Sequence, residues 1–350
     1  MLYALKPYVI TLILSAAAGI LFKLLGIPLP WMIGPIFAVG CAGVRGSGPK
    51  ALPGSRQAGQ LIVGCSLGLY FTSEVSRQML DFGAYILLSS FVSILIGAVA
   101  ALLFRRISGA ASISAFFACV PGGAAEMAIL AERAGARFDT VVLSHSIRIL
   151  LVVLTVPVAV TLSGASGRVV FEPAASAFIL PRFAEMLALA AVMSLAFARF
   201  RIPNAWLLAP LIVSLALTVS GRSVSSIPPF LVNIAQVLIG CSLGATFRPN
   251  LRTESRRLIA ATVLAAAFTL VVCALFGLAL AWMMKESPAA LILATSPGGL
   301  SEMCITAKIL KLGVPLVTSF QVARLVIVVI FSLPAWRCFV WLKRARFEKR

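Results

Sequence analysis

The sequence predicts an all-α polytopic membrane protein made of two inverted repeats, each with about five crossing helices plus one broken or re-entrant Pro-Gly-Gly helix. Three observations carry this prediction. Of 350 residues, 61% are hydrophobic and 12% charged, with a mean hydropathy of +1.05, whereas an ordinary soluble domain is roughly 25% charged. Apolar runs near the ~20 residues that a spanning helix needs follow one another along the whole chain. The segment CVPGGAAEM at 119–127 returns as TSPGGLSEM at 295–303, 176 positions later.

In order, the apolar runs of the first half are 7–25, 31–44, 57–71, 82–104, 110–134 around the first break, and 138–162. Those of the second half are 183–198, 203–219, 227–247, 258–284, 287–310 around the second break, and 314–342. The second and third runs of the first half are short for a span. Residues 1–162 are thus the first repeat, 163–181 a linker, polar and Gly-rich at its start, and 182–350 the second repeat. Ile27, Pro28, Trp31 and Pro35 match Ile202, Pro203, Trp206 and Pro210 at an offset of 175, and QLIVGCSLG from Gln60 becomes QVLIGCSLG from Gln236 at 176. The run before Pro28 resembles a signal peptide in composition, but its mid-chain counterpart makes it a retained first helix.

The formal charge of +19 does not indicate nucleic-acid binding, because the basic residues punctuate the apolar runs instead of gathering on one helix. They report topology. With Arg148 and Arg324 counted as intramembrane, twelve crossings divide the other 28 Lys and Arg 16 to 12, whereas a re-entrant Pro-Gly-Gly segment in each repeat divides them 20 to 8. The second division favours inverted repeats with both termini cytoplasmic in the cell (inner) membrane. The seven cysteines stand singly in apolar runs and read as small apolar residues. Copper or iron chemistry needs several His or carboxylate ligands. One histidine and unclustered acids point to no cofactor, no metal and no enzymatic activity.

Chemistry concentrates at the two breaks. Pro121 and Pro297 each remove a helical hydrogen bond, and Gly122, Gly123, Gly298 and Gly299 add little helical preference. Backbone freed at membrane depth persists only inside protein or beside a water-filled cavity, and facing half-helix ends suit an ion or polar solute. A single such break could be a tolerated kink. Two at matching positions, each followed by a carboxylate, make a substrate or ion site the stronger reading. Glu126 and Glu302 on the first turns after the breaks either hold a coupling ion or cap the helix. Arg148 and Arg324, inside later apolar runs, either grip an anion bidentately or pair with those carboxylates. His145, one turn from Arg148, is a proton relay or a hydrogen-bonded core histidine, and Gln321 stands in its place in the second repeat. Gln60, Ser66, Gln236 and Ser242 line a cavity, or their GCSLG glycines serve close helix packing.

The paired PGGxxEM segments, the GIPLPWMIGP lead-in to the second helix and the duplicated GCSLG resemble the membrane AbrB family, labelled variously as an ammonia monooxygenase or a regulator of gene expression. More distantly, CVPGGAAEMAILAERAG is similar to the broken-helix region of sodium/bile-acid symporter-like carriers, and GIPLPWMIGPIFAVG to a helix of cation/proton antiporters. Both resemblances imply a secondary transporter working by alternating access. The chain departs from the antiporters in lacking paired Asp in the core. The expected function is therefore transport of a small polar or anionic metabolite coupled to H⁺ or Na⁺. The alternative is an indirect role in regulation of gene expression, and monooxygenase activity is not expected. The expected partners are the lipid bilayer and a small solute or ion, with a homodimer left open.

Overall fold

The computed structural model describes residues 2–164, 173–174, 177–222, 224–247 and 256–347, with the backbone alone at 2–6, 124–125 and 339–347. Most of the expected linker (165–172 and 175–176), the charges Arg168, Arg248 and Arg252, and the last residues of the basic tail lie outside the described residues.

Among the described residues, all regular structure is helical. The first half contains α1 (Leu2–Leu24), α2 (Pro30–Val44), α3 (Ser55–Gly68), α4 (Ser73–Asp81), α5 (Gly83–Ser108), α6 (Ser112–Cys119), α7 (Ala124–Arg133) and α8 (Phe138–Leu162). The second half contains α9 (Leu180–Arg199), α10 (Ala205–Val219), α11 (Pro229–Gly244), α12 (Arg256–Met284), α13 (Pro288–Thr295), α14 (Leu300–Ile309) and α15 (Val314–Phe347). Six helices are long and apolar enough to cross a membrane, namely α1, α5, α8, α9, α12 and the 314–338 part of α15. Helices α2, α3, α10 and α11 span only 14–16 residues. The nine-residue α4 has no counterpart among the expected runs. It is amphipathic, with Glu74, Arg77 and Asp81 beside a buried Met79, so it leaves no apolar run to read.

The chain packs as two compact units, and each draws on both halves of the sequence. One unit holds α1–α4, the end of α8, α9–α11, residues 301–309 of α14 and the start of α15; the other holds α5–α7, most of α8, α12, α13 and the rest of α15. The repeat is a unit of sequence, whereas the compact unit is a unit of packing.

In the first unit the contacts are reciprocal between repeats. Helix α3 packs on α10 and α11 on α2; α1 packs on α2 and α11, and α9 packs on α10 and α3. The agreement extends to single atoms. A β-carbon on Gly64 would stand 2.5 Å from the Leu207 carbonyl oxygen and 2.9 Å from Pro210 Cβ. One on Gly240 would stand 2.6 Å from the Met32 oxygen and 3.2 Å from Pro35 Cβ. The GCSLG glycines therefore bring two helix backbones together, the small-residue packing that membrane helices use. An apolar cluster of Cys65, Leu69, Met186, Ala190, Ile227 and Val232 closes this unit. In the second unit α5 packs on α12, with α6 on α5 and α13 on α12. Phe104, Phe117, Met127, Ala131, Val141 and Val328 are among its fully buried side chains.

Candidate solute site at the two helix breaks

Both expected breaks are present. Helix α6 stops at Cys119 and α7 begins at Ala124; α13 stops at Thr295 and α14 begins at Leu300. The residue before each proline is extended, Val120 at φ −61, ψ 127 and Ser296 at φ −58, ψ 137. This follows because the proline ring excludes the helical conformation from the residue before it. Gly97 of α5 lets the first break approach closely, since a β-carbon there would lie 2.7 Å from Val120 Cα and 3.0 Å from Pro121 Cδ.

The first broken helix folds back on itself. The backbone N–H of Arg137, just after α7, donates to Ser114 Oγ at the start of α6, at 3.1 Å. Laid end to end, the eight residues of α6 and ten of α7 would cover about 27 Å at 1.5 Å per residue, far too long for that bond. A hairpin with both ends together satisfies it.

Each break is held by the buried arginine. Arg148, 3% exposed, donates from Nη1 to the Cys119 and Val120 oxygens at 3.2 and 3.3 Å, and from Nη2 to the Gly122 oxygen at 3.3 Å. Arg324, 6% exposed, donates from Nη1 to the Ser296 oxygen and from Nη2 to the Gly298 oxygen at 3.1 Å. Ser296 and Gly298 correspond to Val120 and Gly122 by the 176-residue offset. The carbonyls that the proline and glycines release thus acquire charged donors, which buried backbone oxygens require. The two guanidiniums lie within electrostatic reach of each other in the second unit.

His145 and Gln321 do one job in the two copies. His145 Nε2 is 2.9 Å from the Phe117 oxygen, and its Nδ1 is 2.8 Å from Arg148 Nη2. Arginine can only donate, so Nδ1 accepts and Nε2–H donates, which assigns the neutral tautomer from the network. Gln321 Nε2 donates to the Leu293 oxygen at 2.8 Å, while its Oε1 accepts from Arg324 Nη2 at 2.5 Å. Both nitrogens of the histidine have hydrogen-bond partners.

The carboxylates differ. Glu126 is half-buried and folds over Gly123, with Oε2 2.0 Å from where a β-carbon of that glycine would stand. Glu302 is 1% exposed, and neither of its carboxylate oxygens has a hydrogen-bond partner among the described residues. Gln60 and Gln236 are buried, at 6% and 1%, with Gln236 Oε1 unpartnered. Ser242 is half-buried. Ser66 accepts a hydrogen bond from Lys308 Nζ, and that ammonium sits 5.8 Å from the Tyr70 ring centroid. The sequence reading did not single out Lys308 or Tyr70. The available signal was that Lys308 replaces Glu132 of the first repeat, a reversal of sign in a half-helix whose Glu-Met pair is kept.

The cavity beside Arg148, where Ser144 Oγ meets Thr262 Oγ1 at 3.3 Å, measures about 10 Å³. That is about the minimum for one water. No group of three His, Cys, Asp or Glu side chains converges among the described residues, and all seven cysteines are free thiols.

With both breaks in place, the relatives can be set beside them. The family model described as Transition state regulatory protein AbrB matches residues 31–340, which include both Pro-Gly-Gly segments and both arginines. The chain belongs to the AbrB family. Among AbrB-family relatives, the uncharacterized protein YhjN of Bacillus subtilis strain 168 is 24% identical over 361 residues, covering 96% of this chain and 94% of its own. A protein of Escherichia coli K12 named as regulator AbrB is 24% identical over 320 residues, covering 89% and 90%. Family membership and the apolar helices agree with a multi-pass membrane protein.

Proposed function

We propose that this AbrB-family chain is a secondary transporter of the cytoplasmic membrane, and not an enzyme, moving a small polar or anionic metabolite coupled to H⁺ or Na⁺. The observation that carries the reading is the pair of repeat-equivalent breaks, each with released carbonyls gripped by a buried arginine and a glutamate on the following turn. A kink would need no such clamp. Arg148 and Arg324 are positioning residues that hold the irregular backbone open, while Glu302 and Glu126 take the coupling ion. An ionised carboxylate withdrawn from water without donors is costly, so the unpartnered Glu302 is where a proton or sodium ion would be of most use.

The hairpin of α6 and α7 supports a re-entrant reading of the first break. If the second break folds likewise, five crossings per repeat invert the second against the first, and the 20 to 8 division of basic residues puts both termini in the cytoplasm. The reading is tested by uptake of labelled small anions into proteoliposomes under an imposed H⁺ or Na⁺ gradient. Uptake that Glu302→Gln abolishes supports it; normal uptake in Glu302→Gln and Arg148→Ala removes these residues from transport.

The family description reads regulatory protein and the name of the Escherichia coli relative includes regulator, which favours a second reading of influence on gene expression. With no polar stretch long enough for a soluble reader domain, such influence would be indirect. A deletion strain whose metabolite pools change before its transcripts would identify flux as the primary effect.

A further inference from the structure

The buried arginines were the natural candidates for gripping an anionic solute, yet both terminal nitrogens of each guanidinium already donate to the carbonyls of the breaks. We infer that the solute's anionic oxygens are instead recognised in the first unit by Lys308 of α14 with Ser66 of α3, above the ring of Tyr70. This rests on the transport reading and deepens it by naming the solute class: a small molecule bearing a carboxylate or phosphate.

The argument is one of donors without an acceptor. An ammonium has three N–H groups and no lone pair, and the described bond of Lys308 uses one of them on Ser66 Oγ. Because that hydroxyl accepts from Lys308, its own O–H is left to donate. Neither residue bonds to a carboxylate among the described residues. Ser66 is 2% exposed, and Lys308 and Tyr70 are half-buried. A cation drawn this far out of water without a counter-ion is costly, and one carboxylate or phosphate could accept from Nζ and Oγ together. The ring beneath holds the ammonium in place through its face.

A purely structural role is less economical. Lysine in a last helical turn is favoured by the helix dipole, and Lys308 does occupy that turn of α14. Its partners among the described residues, however, are the Ser66 hydroxyl and the Tyr70 ring, not the terminal carbonyls of α14. The fold does not require the charge either, because the first repeat carries Glu132 at that position, with Ser242 and Thr246 opposite Ser66 and Tyr70. The donor set exists in one copy, so the expected stoichiometry is a single anion per chain.

The test is equilibrium binding to the purified full chain in neutral detergent, using radiolabelled succinate and radiolabelled inorganic phosphate at ionic strength fixed with chloride. At least one probe should saturate at one per chain. Lys308→Gln should weaken it about tenfold or more, Ser66→Ala several-fold, and Lys308→Arg about threefold or less. Saturable binding of neither probe, or equal binding by wild type and Lys308→Gln, overturns the inference. Should Lys308→Gln fail to give monodisperse protein, unchanged binding by Ser66→Ala overturns it instead. Repeating the measurement in nanodiscs separates the sources of phosphate. Binding equal in phosphatidylcholine and phosphatidylglycerol supports a free solute, whereas displacement by phosphatidylglycerol assigns the site to lipid and overturns it. Equilibrium binding needs no turnover, so a chain that transports without this site breaks only this inference, and one that binds without transporting breaks only the proposed function.

Discussion

The two breaks share a backbone plan and differ in side chains, and the difference separates what the fold requires from what a function would use. Both have an extended residue before proline and a buried arginine on the same two carbonyl positions. Both use a partner, His145 or Gln321, that donates to backbone carbonyls and accepts one hydrogen bond from the arginine. What differs is charge. Glu126 is half-buried over Gly123 while Glu302 is buried with unpartnered oxygens, and Lys308 stands where the first copy has Glu132. The shared parts are structural, and the unshared ones are the candidates for ion and solute chemistry.

The sharpest way to break this comparison is to remove a clamp. Arg148→Ala leaves the Cys119, Val120 and Gly122 carbonyls without their charged donor, which should destabilise the protein by about 1–3 kcal/mol for each oxygen left unsatisfied. Lysine should not rescue it, because a point charge cannot span several carbonyls. Thermal unfolding in detergent measures the loss, and an unchanged Tm would return the arginine to solute binding. The second contrast sets Glu302→Gln against Glu126→Gln. Ion-coupled flux should disappear in the first and only decline in the second, and the reverse order would contradict the assignment by burial.

Smaller still, His145→Gln should retain flux and lose less than about 1 kcal/mol, because glutamine fills the same role at 321, whereas His145→Ala should cost about 1–3 kcal/mol for the unsatisfied groups left behind. Flux that vanished in the glutamine variant would restore the proton relay. The smallest effect concerns the turns. Gly26, Gly109 and Gly135, at φ 69, 70 and 81, correspond to Arg201, Lys285 and Lys311, at φ 55, 57 and 54. The chain keeps a left-handed turn where the side chain disfavours it, so Lys285→Gly should raise stability by up to about 1 kcal/mol, and a fall would show that the lysine side chain has a stabilising role of its own.

Much of this was legible in the sequence for definite reasons. Pro121 and Pro297 announce their breaks because proline acts locally, and an offset that stays at 176 from Gln60 to Arg148 announces the repeat because duplication without insertion preserves register. The GCSLG segments left packing and cavity lining both open, and Gly64 and Gly240 stand close against the Leu207 and Met32 oxygens of the facing helices. The arginine roles were illegible because their partners are backbone carbonyls, which every residue possesses. Helix α4 was hidden by its mixed polarity, and the grouping of α14 with α3 depends on a tertiary contact 242 positions apart in sequence.

The central claim, that the glutamates after the breaks take the coupling ion of a transporter, is tested most directly by solid-supported-membrane electrophysiology on proteoliposomes. A jump in H⁺ or Na⁺ concentration should give a transient current with the wild type and none with Glu302→Gln, while Glu126→Gln keeps a reduced current. No wild-type current with either ion, or equal currents in wild type and Glu302→Gln, would contradict the account.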